Sequence, residues 1–85
     1  MIHETQKYEY RFDTRTNGKT VAVKCRVKAC NQMFNVCTFY DIDTERPTVR
    51  FTLDGATSVQ VLQEVMDGFE LYCRGYDLPY AKFKR

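Results

Sequence analysis

The sequence predicts one α+β domain over residues 1–85, in which a four-stranded antiparallel meander packs one face against a single C-terminal helix. Three observations lead to this fold class. Apolar and polar residues alternate through much of Lys7–Leu53, an Asn17-Gly18 dipeptide separates two alternating runs, and Thr57–Tyr76 alone has helical periodicity. A chain of 85 residues has room for little more than one sheet and one helix.

The first two predicted strands, Lys7–Asp13 and Lys19–Lys28, both alternate apolar and polar residues. Asn17-Gly18 between them predicts a type I′ hairpin turn, because both central residues of that turn need positive φ. The turn sets three cross-strand pairs on the core face: Phe12 with Val23, Tyr10 with Cys25, and Tyr8 with Val27. Each apolar residue meets another, so the turn and the alternation predict the same register.

The same register places charged residues opposite one another on the outer side of the hairpin. The predicted pairs are Lys7 with Lys28, Arg11 with Lys24, and Glu9 with Arg26. Two of these pairs are like-charged, which costs stability unless the side chains separate into water or an anion lies between them. Solvation of an exposed face and a binding surface for phosphates or an acidic protein are both compatible with this pattern.

The third and fourth predicted strands are Gln32–Tyr40 and Pro47–Leu53. A loop over Asp43–Arg46 predicts three pairs on the core face: Tyr40 with Val49, Thr38 with Phe51, and Val36 with Leu53. Met33, Cys37 and Phe39 are then expected on the opposite face, beside Arg50. Either the C-terminal tail covers them, or they form an apolar patch rimmed by cations, which is typical of a protein interface.

The predicted helix begins near Ser58, because Thr57 and Gln60 match a capping box and Ala56 and Val61 a hydrophobic staple. Its expected buried stripe is Val61, Leu62, Val65, Phe69, Tyr72 and Cys73. Gly75 predicts the end of the helix, and the internal Gly68 predicts a close approach to the sheet. Residues 76–85 form either a fifth strand or a loose tail.

The cysteine and histidine content argues against a metal centre and against catalysis. The four cysteines (Cys25, Cys30, Cys37 and Cys73) contain no CxxC pair, and His3 is the only histidine. We expect the cysteines as small buried thiols, and the alternative is a zinc site formed by Cys25, Cys30 and Cys37 with the distant Cys73 as the fourth ligand. The sequence has no phosphate-binding loop, and its acidic turn, Asp41–Glu45, lacks EF-hand spacing. We therefore expect a protein that is not an enzyme and has no cofactor.

Charge is distributed unevenly along the chain. Residues 1–28 carry seven basic and three acidic side chains, whereas residues 51–73 carry four acidic and no basic ones. The net charge of +2 is too small to indicate nucleic acid or membrane by itself. Met1–Tyr10 lacks the apolar core of a signal peptide, and no segment is long and apolar enough for a membrane span. The expected location is the cytoplasm.

The segment Phe69–Tyr76, with the sequence FELYCRGY, follows a capped helix start. Together with the residues from Phe51 onward, it resembles the C-terminal half of small bacteriophage proteins whose helix ends in a similar aromatic and arginine segment. The resemblance implies a phage accessory protein in the cytoplasm of a host cell, where small sheet-and-helix proteins bind and block host machinery. It assigns no functional residue.

Three functions remain open. The first is a binding protein that modulates or inhibits a host protein through the open sheet face or through an acidic helix face, Glu64, Asp67 and Glu70. The second is nucleic-acid binding on the basic sheet face, with Phe39 as a stacking ring. The third is a homodimer formed through strand edges or the Met33 and Phe39 face. The candidate sheet-face residues are Lys7, Arg11, Lys24, Arg26, Lys28, Met33, Phe39 and Arg50.

Overall fold

The computed structural model describes residues 1–15, 18–40, 42, 50–54 and 57–75, and these contain five strands and one helix. The elements are β1 (Ile2–Glu4), β2 (Tyr8–Thr14), β3 (Val21–Val27), β4 (Gln32–Tyr40), β5 (Arg50–Leu53) and α1 (Val59–Gly75). The strands form one antiparallel sheet in chain order. The α+β class, the meander and the C-terminal helix are confirmed, whereas the prediction of four strands was wrong.

The additional strand is β1, which occupies the N-terminal segment. His3 pairs with Tyr10 of β2, and the two ring centroids are 6.3 Å apart. Three residues are too few to show a period of two in a sequence, so alternation gave no sign of this strand. The other candidate for a fifth strand, residues 76–85, lies outside the described residues.

The hairpin of β2 and β3 has the register that the sequence predicts. All three apolar pairs are present: Phe12 with Val23, Tyr10 with Cys25, and Tyr8 with Val27. Gly18 has a φ of 71°, the left-handed conformation that the predicted turn requires. Its partner in that turn, Asn17, lies outside the described residues.

A β-bulge at Val36 changes the direction of the side chains in the second half of β4. Asn35 faces Lys24 while Cys37 faces Val23, which leaves Val36 as an extra residue. The extra residue shifts the alternation, so Cys37 and Phe39 point toward α1. The predicted placement of these two residues on the face away from the helix was therefore wrong.

The strand β5 pairs with β4 one residue away from the predicted register. Phe51 faces Phe39, and Leu53 faces Cys37. Tyr40 faces Arg50 on the side away from the helix, and the guanidinium carbon of Arg50 lies 5.2 Å from the centre of the Tyr40 ring. Val49 and the acidic turn at positions 41, 43 and 45 lie outside the described residues.

The helix α1 is capped by Ser58, whose Oγ accepts a hydrogen bond from the N–H of Val61 at 3.2 Å. The cap is therefore one residue later than the predicted Thr57. The residues buried on α1 are Val61, Val65, Met66, Gly68, Phe69, Tyr72 and Cys73, while Leu62 is half-buried. Within the described ranges, no helix is long and apolar enough to cross a membrane.

Aromatic rings form the centre of the core between α1 and the sheet. The rings of Phe39 and Phe69 are nearly parallel, with centroids 3.8 Å apart and an interplanar angle of 6°. Phe69 also contacts Tyr72, which stacks on Phe12. Gly68 lets the helix pack closely against β2, because a Cβ built at Gly68 would lie 2.7 Å from the Phe12 ring. This contact confirms the close approach predicted from the glycine.

Candidate binding surface on the outer sheet face

The face of the sheet that points away from α1, called the outer face below, carries two rows of side chains that run across β1–β4. The paired row consists of the successive cross-strand partners Glu4, Glu9, Arg26 and Met33. The open row lies beside it, two residues away on each strand, and consists of Ile2, Arg11, Lys24 and Asn35. Neighbouring strands lie about 5 Å apart, so side chains within a row are within reach of one another.

A hydrogen-bonded ion pair between Glu9 and Arg26 connects β2 and β3 in the paired row. Arg26 donates from Nε to Glu9 Oε2 at 3.1 Å and from Nη2 to Glu9 Oε1 at 3.3 Å. Its Nη1 also donates to Asn31 Oδ1 at 3.1 Å. The hydrogen bond from Arg26 lowers the pKa of Glu9, and the same contact raises the pKa of Arg26. The charges of Glu9 and Arg26 are therefore neutralised locally, while Glu4, the third charge in the row, lies directly opposite Glu9 and has the ammonium of Lys28 3.6 Å away.

The strand β1 supplies an acidic partner for one of the two lysines, Lys7 and Lys28, that the sequence predicts to face each other. The backbone N–H of Lys28 donates to the carbonyl of Lys7 at 3.1 Å, which confirms the pairing. The ammonium of Lys28 lies 3.6 Å from Glu4 Oε2 and donates to the carbonyl of Thr5 at 2.9 Å. Lys28 therefore has an acidic partner that comes from a strand the sequence did not reveal.

The open row has no comparable neutralisation. Lys24 is exposed, and its ammonium makes neither a hydrogen bond nor an ion pair with a described residue. The side chain of Arg11 is 51% exposed and approaches Glu9 Oε2 only at 3.9 Å, on a carboxylate that Arg26 already holds. Arg11 and Lys24 are direct cross-strand partners, so their positive charges repel each other. The open row is therefore suited to receive an anionic group.

Apolar surface borders these two cations. Ile2 is 53% exposed at one end of the open row, and Met33 is 47% exposed at the end of the paired row. A shallow depression of about 210 Å³ lies next to the bulge, with Lys24, Met33, Phe34 and Asn35 as its lining. Bulges occur frequently beside binding sites, where they redirect side chains. The outer face thus combines cations, an amide and apolar contacts in one area.

Most of the predicted sheet-face residues lie on the outer face, whereas Phe39 lies in the core. Arg11, Lys24, Arg26 and Met33 lie in the two rows, and Arg50 lies on the same face against Tyr40. Phe39 is fully buried against Phe69, so it cannot be an exposed stacking ring. Ile2, Glu4 and Asn35 were not predicted as site residues. Ile2 and Glu4 follow from β1, and Asn35 pairs with Lys24 in the regular register that starts at Val27 and Gln32, before the bulge.

The predicted acidic helix face is not a continuous surface. Glu64 points toward the sheet, where Oε1 accepts hydrogen bonds from Tyr10 Oη at 2.7 Å and from Thr5 Oγ1 at 3.3 Å. Burial and the bond to Glu64 raise the pKa of Tyr10. Glu70 binds Arg74 at 2.7 Å, and Asp67 is exposed. The carboxylates therefore serve different local contacts rather than one acidic patch.

Most of the thiols belong to the core. Cys25, Cys37 and Cys73 are buried as predicted, whereas Cys30 is exposed in the turn after β3, which was not expected. Burial raises the pKa values of Cys25 and Cys73 to about 11 and that of Cys37 to about 12. A thiol with such a pKa is protonated at neutral pH and is a poor nucleophile.

Neither a metal centre among the described residues nor a similarity to a known protein indicates the function. Among the residues with described positions, no group of three or more His, Cys, Asp or Glu side chains is arranged to hold a metal ion. Comparison of the chain with protein-family models, curated proteins and solved structures finds no match. The outer face is therefore the feature of the described structure that bears on function.

Proposed function

We propose that this is a non-enzymatic binding protein whose outer face binds an acidic region of a partner protein. The observation that carries the proposal is the open row, where Arg11 and Lys24 face each other and the described residues bring no carboxylate nearer than Glu9, 3.9 Å from Arg11 and already bound by Arg26. Opposed like charges destabilise a free protein, and an acidic partner would relieve that repulsion. The cost in the free state is thereby recovered on binding.

The composition of the outer face supports a protein partner over a nucleic acid. Phe39, the ring proposed for base stacking, is in the core. Exposed Ile2 and Met33 beside the cations match the mixture of apolar and polar contacts in protein interfaces. The resemblance of the C-terminal segment to small bacteriophage proteins supports a partner that belongs to a bacterial host.

The proposal is tested by capture from a nuclease-treated bacterial lysate with three forms of the immobilised full chain. The first is the wild type, and the second is R11Q/K24Q, which removes the positive charges of the open row. The third is the control Q60E/Q63E, which gives the same net charge by changing exposed residues of α1. We expect the wild type and the control to retain the same proteins, and R11Q/K24Q to lose them.

Two results would contradict the proposal. Equal retention by all three forms would mean that the open row takes no part in binding. Retention that appears only without nuclease treatment, and weakens steeply with added salt, would instead favour the second candidate function, nucleic-acid binding. Because both variants have the same net charge, nonspecific attraction cannot produce the expected difference.

A further inference from the structure

The first half of β4 is a sheet edge, although the strand is central in its second half. β5 pairs with Cys37–Tyr40, and the contact continues by one hydrogen bond, from Asp54 N to Val36 O at 2.8 Å. In the described part of the chain, no strand lies beside Gln32–Asn35 on the side away from β3. All residues of this segment, called the β4 edge below, are exposed. An edge of this kind offers backbone N–H and C=O groups to an added strand.

Side chains on both faces of the β4 edge would contact such a strand. Met33 and Asn35 lie on the outer face, while Phe34 pairs with Cys25 on the helix side and is 38% exposed. The depression next to the bulge joins Met33, Phe34 and Asn35 to Lys24 of β3. The edge therefore offers apolar contacts together with one ammonium that has no acidic partner among the described residues.

We propose that an extended acidic segment of a partner protein adds to the sheet as a strand along the β4 edge, in line with β5. Strand addition supplies backbone hydrogen bonds, and alternating side chains supply specificity. On the outer face, the added side chain beside Asn35 lies two strand spacings, about 10 Å, from Lys24. The long lysine side chain and an acidic side chain can together span this distance, which gives the segment its charge. The inference rests on the proposed function, since it specifies how the outer face engages its partner.

A titration with designed peptides tests this binding mode on the ¹⁵N-labelled full chain. The probe is an octapeptide of alternating glutamate and valine, and its control replaces glutamate with lysine. We expect the acidic probe at millimolar concentration to slow hydrogen exchange of amides in Gln32–Asn35 at least several-fold, and the lysine peptide to have no such effect. Lys24→Gln should weaken binding about two- to fivefold, as for an exposed ion pair. The control Gln63→Glu lowers the net charge by the same amount on α1, and it should not weaken binding.

Backbone methylation of the probe distinguishes strand addition from side-chain contact. In an added strand, alternate N–H groups face the neighbouring strand. N-methylation of one alternate set of residues should therefore abolish binding, and methylation of the other set should leave it intact. Equal tolerance of both methylated peptides would overturn strand addition. The open row would then still be tested separately by the capture experiment.

Other occupants of the β4 edge give distinct results, each of which overturns the inference. Protection of these amides that rises with protein concentration, without peptide, would identify a second copy of the chain. Protection at all concentrations in the free protein would show that the chain covers its own edge. A complete lack of protection with millimolar acidic peptide would show that the edge does not accept a strand of this chemistry.

Discussion

The two faces of the sheet differ in burial and in charge. On the helix side, Phe39, Phe69 and Tyr72 pack ring against ring and are almost fully buried. On the outer face, many charged residues and a few apolar ones remain exposed. Glu9 and Arg26 form an ion pair in one row, whereas Arg11 and Lys24 repel each other in the next. Burial of apolar area is the main source of stability, so the helix side determines whether the chain folds. The outer face is correspondingly free to carry charges that serve binding.

The largest effect is expected from Phe69→Ala, which removes the ring that stacks on Phe39. Deletion of a fully buried phenyl ring leaves a cavity and costs about 3–5 kcal/mol. Urea denaturation of both proteins measures the loss. The matched control is Leu71→Ala on the same helix, where the side chain is 46% exposed and the expected loss is under about 1 kcal/mol. Similar losses for the two variants would contradict the central role of this stack.

A smaller destabilisation is expected from Gly68→Ala. Alanine favours the helix by about 1 kcal/mol, but overpacking in a core typically costs about 1–3 kcal/mol. The new Cβ would lie 2.7 Å from the ring of Phe12 and 3.2 Å from the Cβ of His3, so we expect a net loss of about 1 kcal/mol. Thermal or urea denaturation measures it.

Gly75→Ala provides the control for Gly68→Ala, because a Cβ at Gly75 has no contact within 4 Å among the described residues. This substitution should leave stability unchanged or raise it slightly. If Gly68→Ala were as neutral as Gly75→Ala, α1 would have room to move away from β2. The inner face would then be less tightly packed than the distance to Phe12 indicates.

The hairpin of β2 and β3 was predictable from sequence because two independent signals agree there. The Asn17-Gly18 turn and the strict alternation of Tyr8, Tyr10 and Phe12 specify the same register. From that register follows the opposition of Arg11 and Lys24, the central feature of the candidate site. The core stripe of α1 was predictable for a similar reason, since helical spacing and burial coincide at Val61, Val65 and Phe69.

The strand β4 was not predictable in the same detail, because it is apolar on both sides. In a strand that alternates strictly, an inserted residue shows as a break in the alternation of apolar and polar residues. Val36, Cys37 and Phe39 fit either face, so no such break is visible here. The bulge therefore reversed Phe39 without any signal in the sequence. The direction of Glu64 was missed for another reason. Its helical position places it at the border of the buried stripe, and only the structure shows that the Tyr10 hydroxyl reaches it.

The paired row predicts a specific dependence of stability on pH. The pKa of Glu9 is lowered from 4.5 by Arg26, so the ion pair stabilises the fold fully above pH 4.5 and loses this effect as pH falls through the lowered folded-state pKa. Glu9→Gln should therefore be less stable than the wild type at neutral pH, and the difference should vanish well below pH 4.5. Urea denaturation across this range measures it.

The smallest effect, and the one that separates the two rows, is expected from Lys24→Gln. Removing one of two opposed positive charges should leave stability unchanged or raise it by about 0.2–1 kcal/mol. The gain should shrink as salt is added, because the Debye length falls from about 10 Å at 0.1 M to about 3 Å at 1 M ionic strength. Urea denaturation at low and high salt measures both quantities.

Arg26→Gln is the matched variant in the paired row, and it should have the opposite sign. It leaves the carboxylate of Glu9, whose side chain is only 11% exposed, without its hydrogen-bonded cation, so the fold should lose stability. If Lys24→Gln destabilised the protein as much as Arg26→Gln, Lys24 would have a stabilising partner in the folded chain. The open row would then lose its excess charge, and with it the reason to expect an acidic partner on this face.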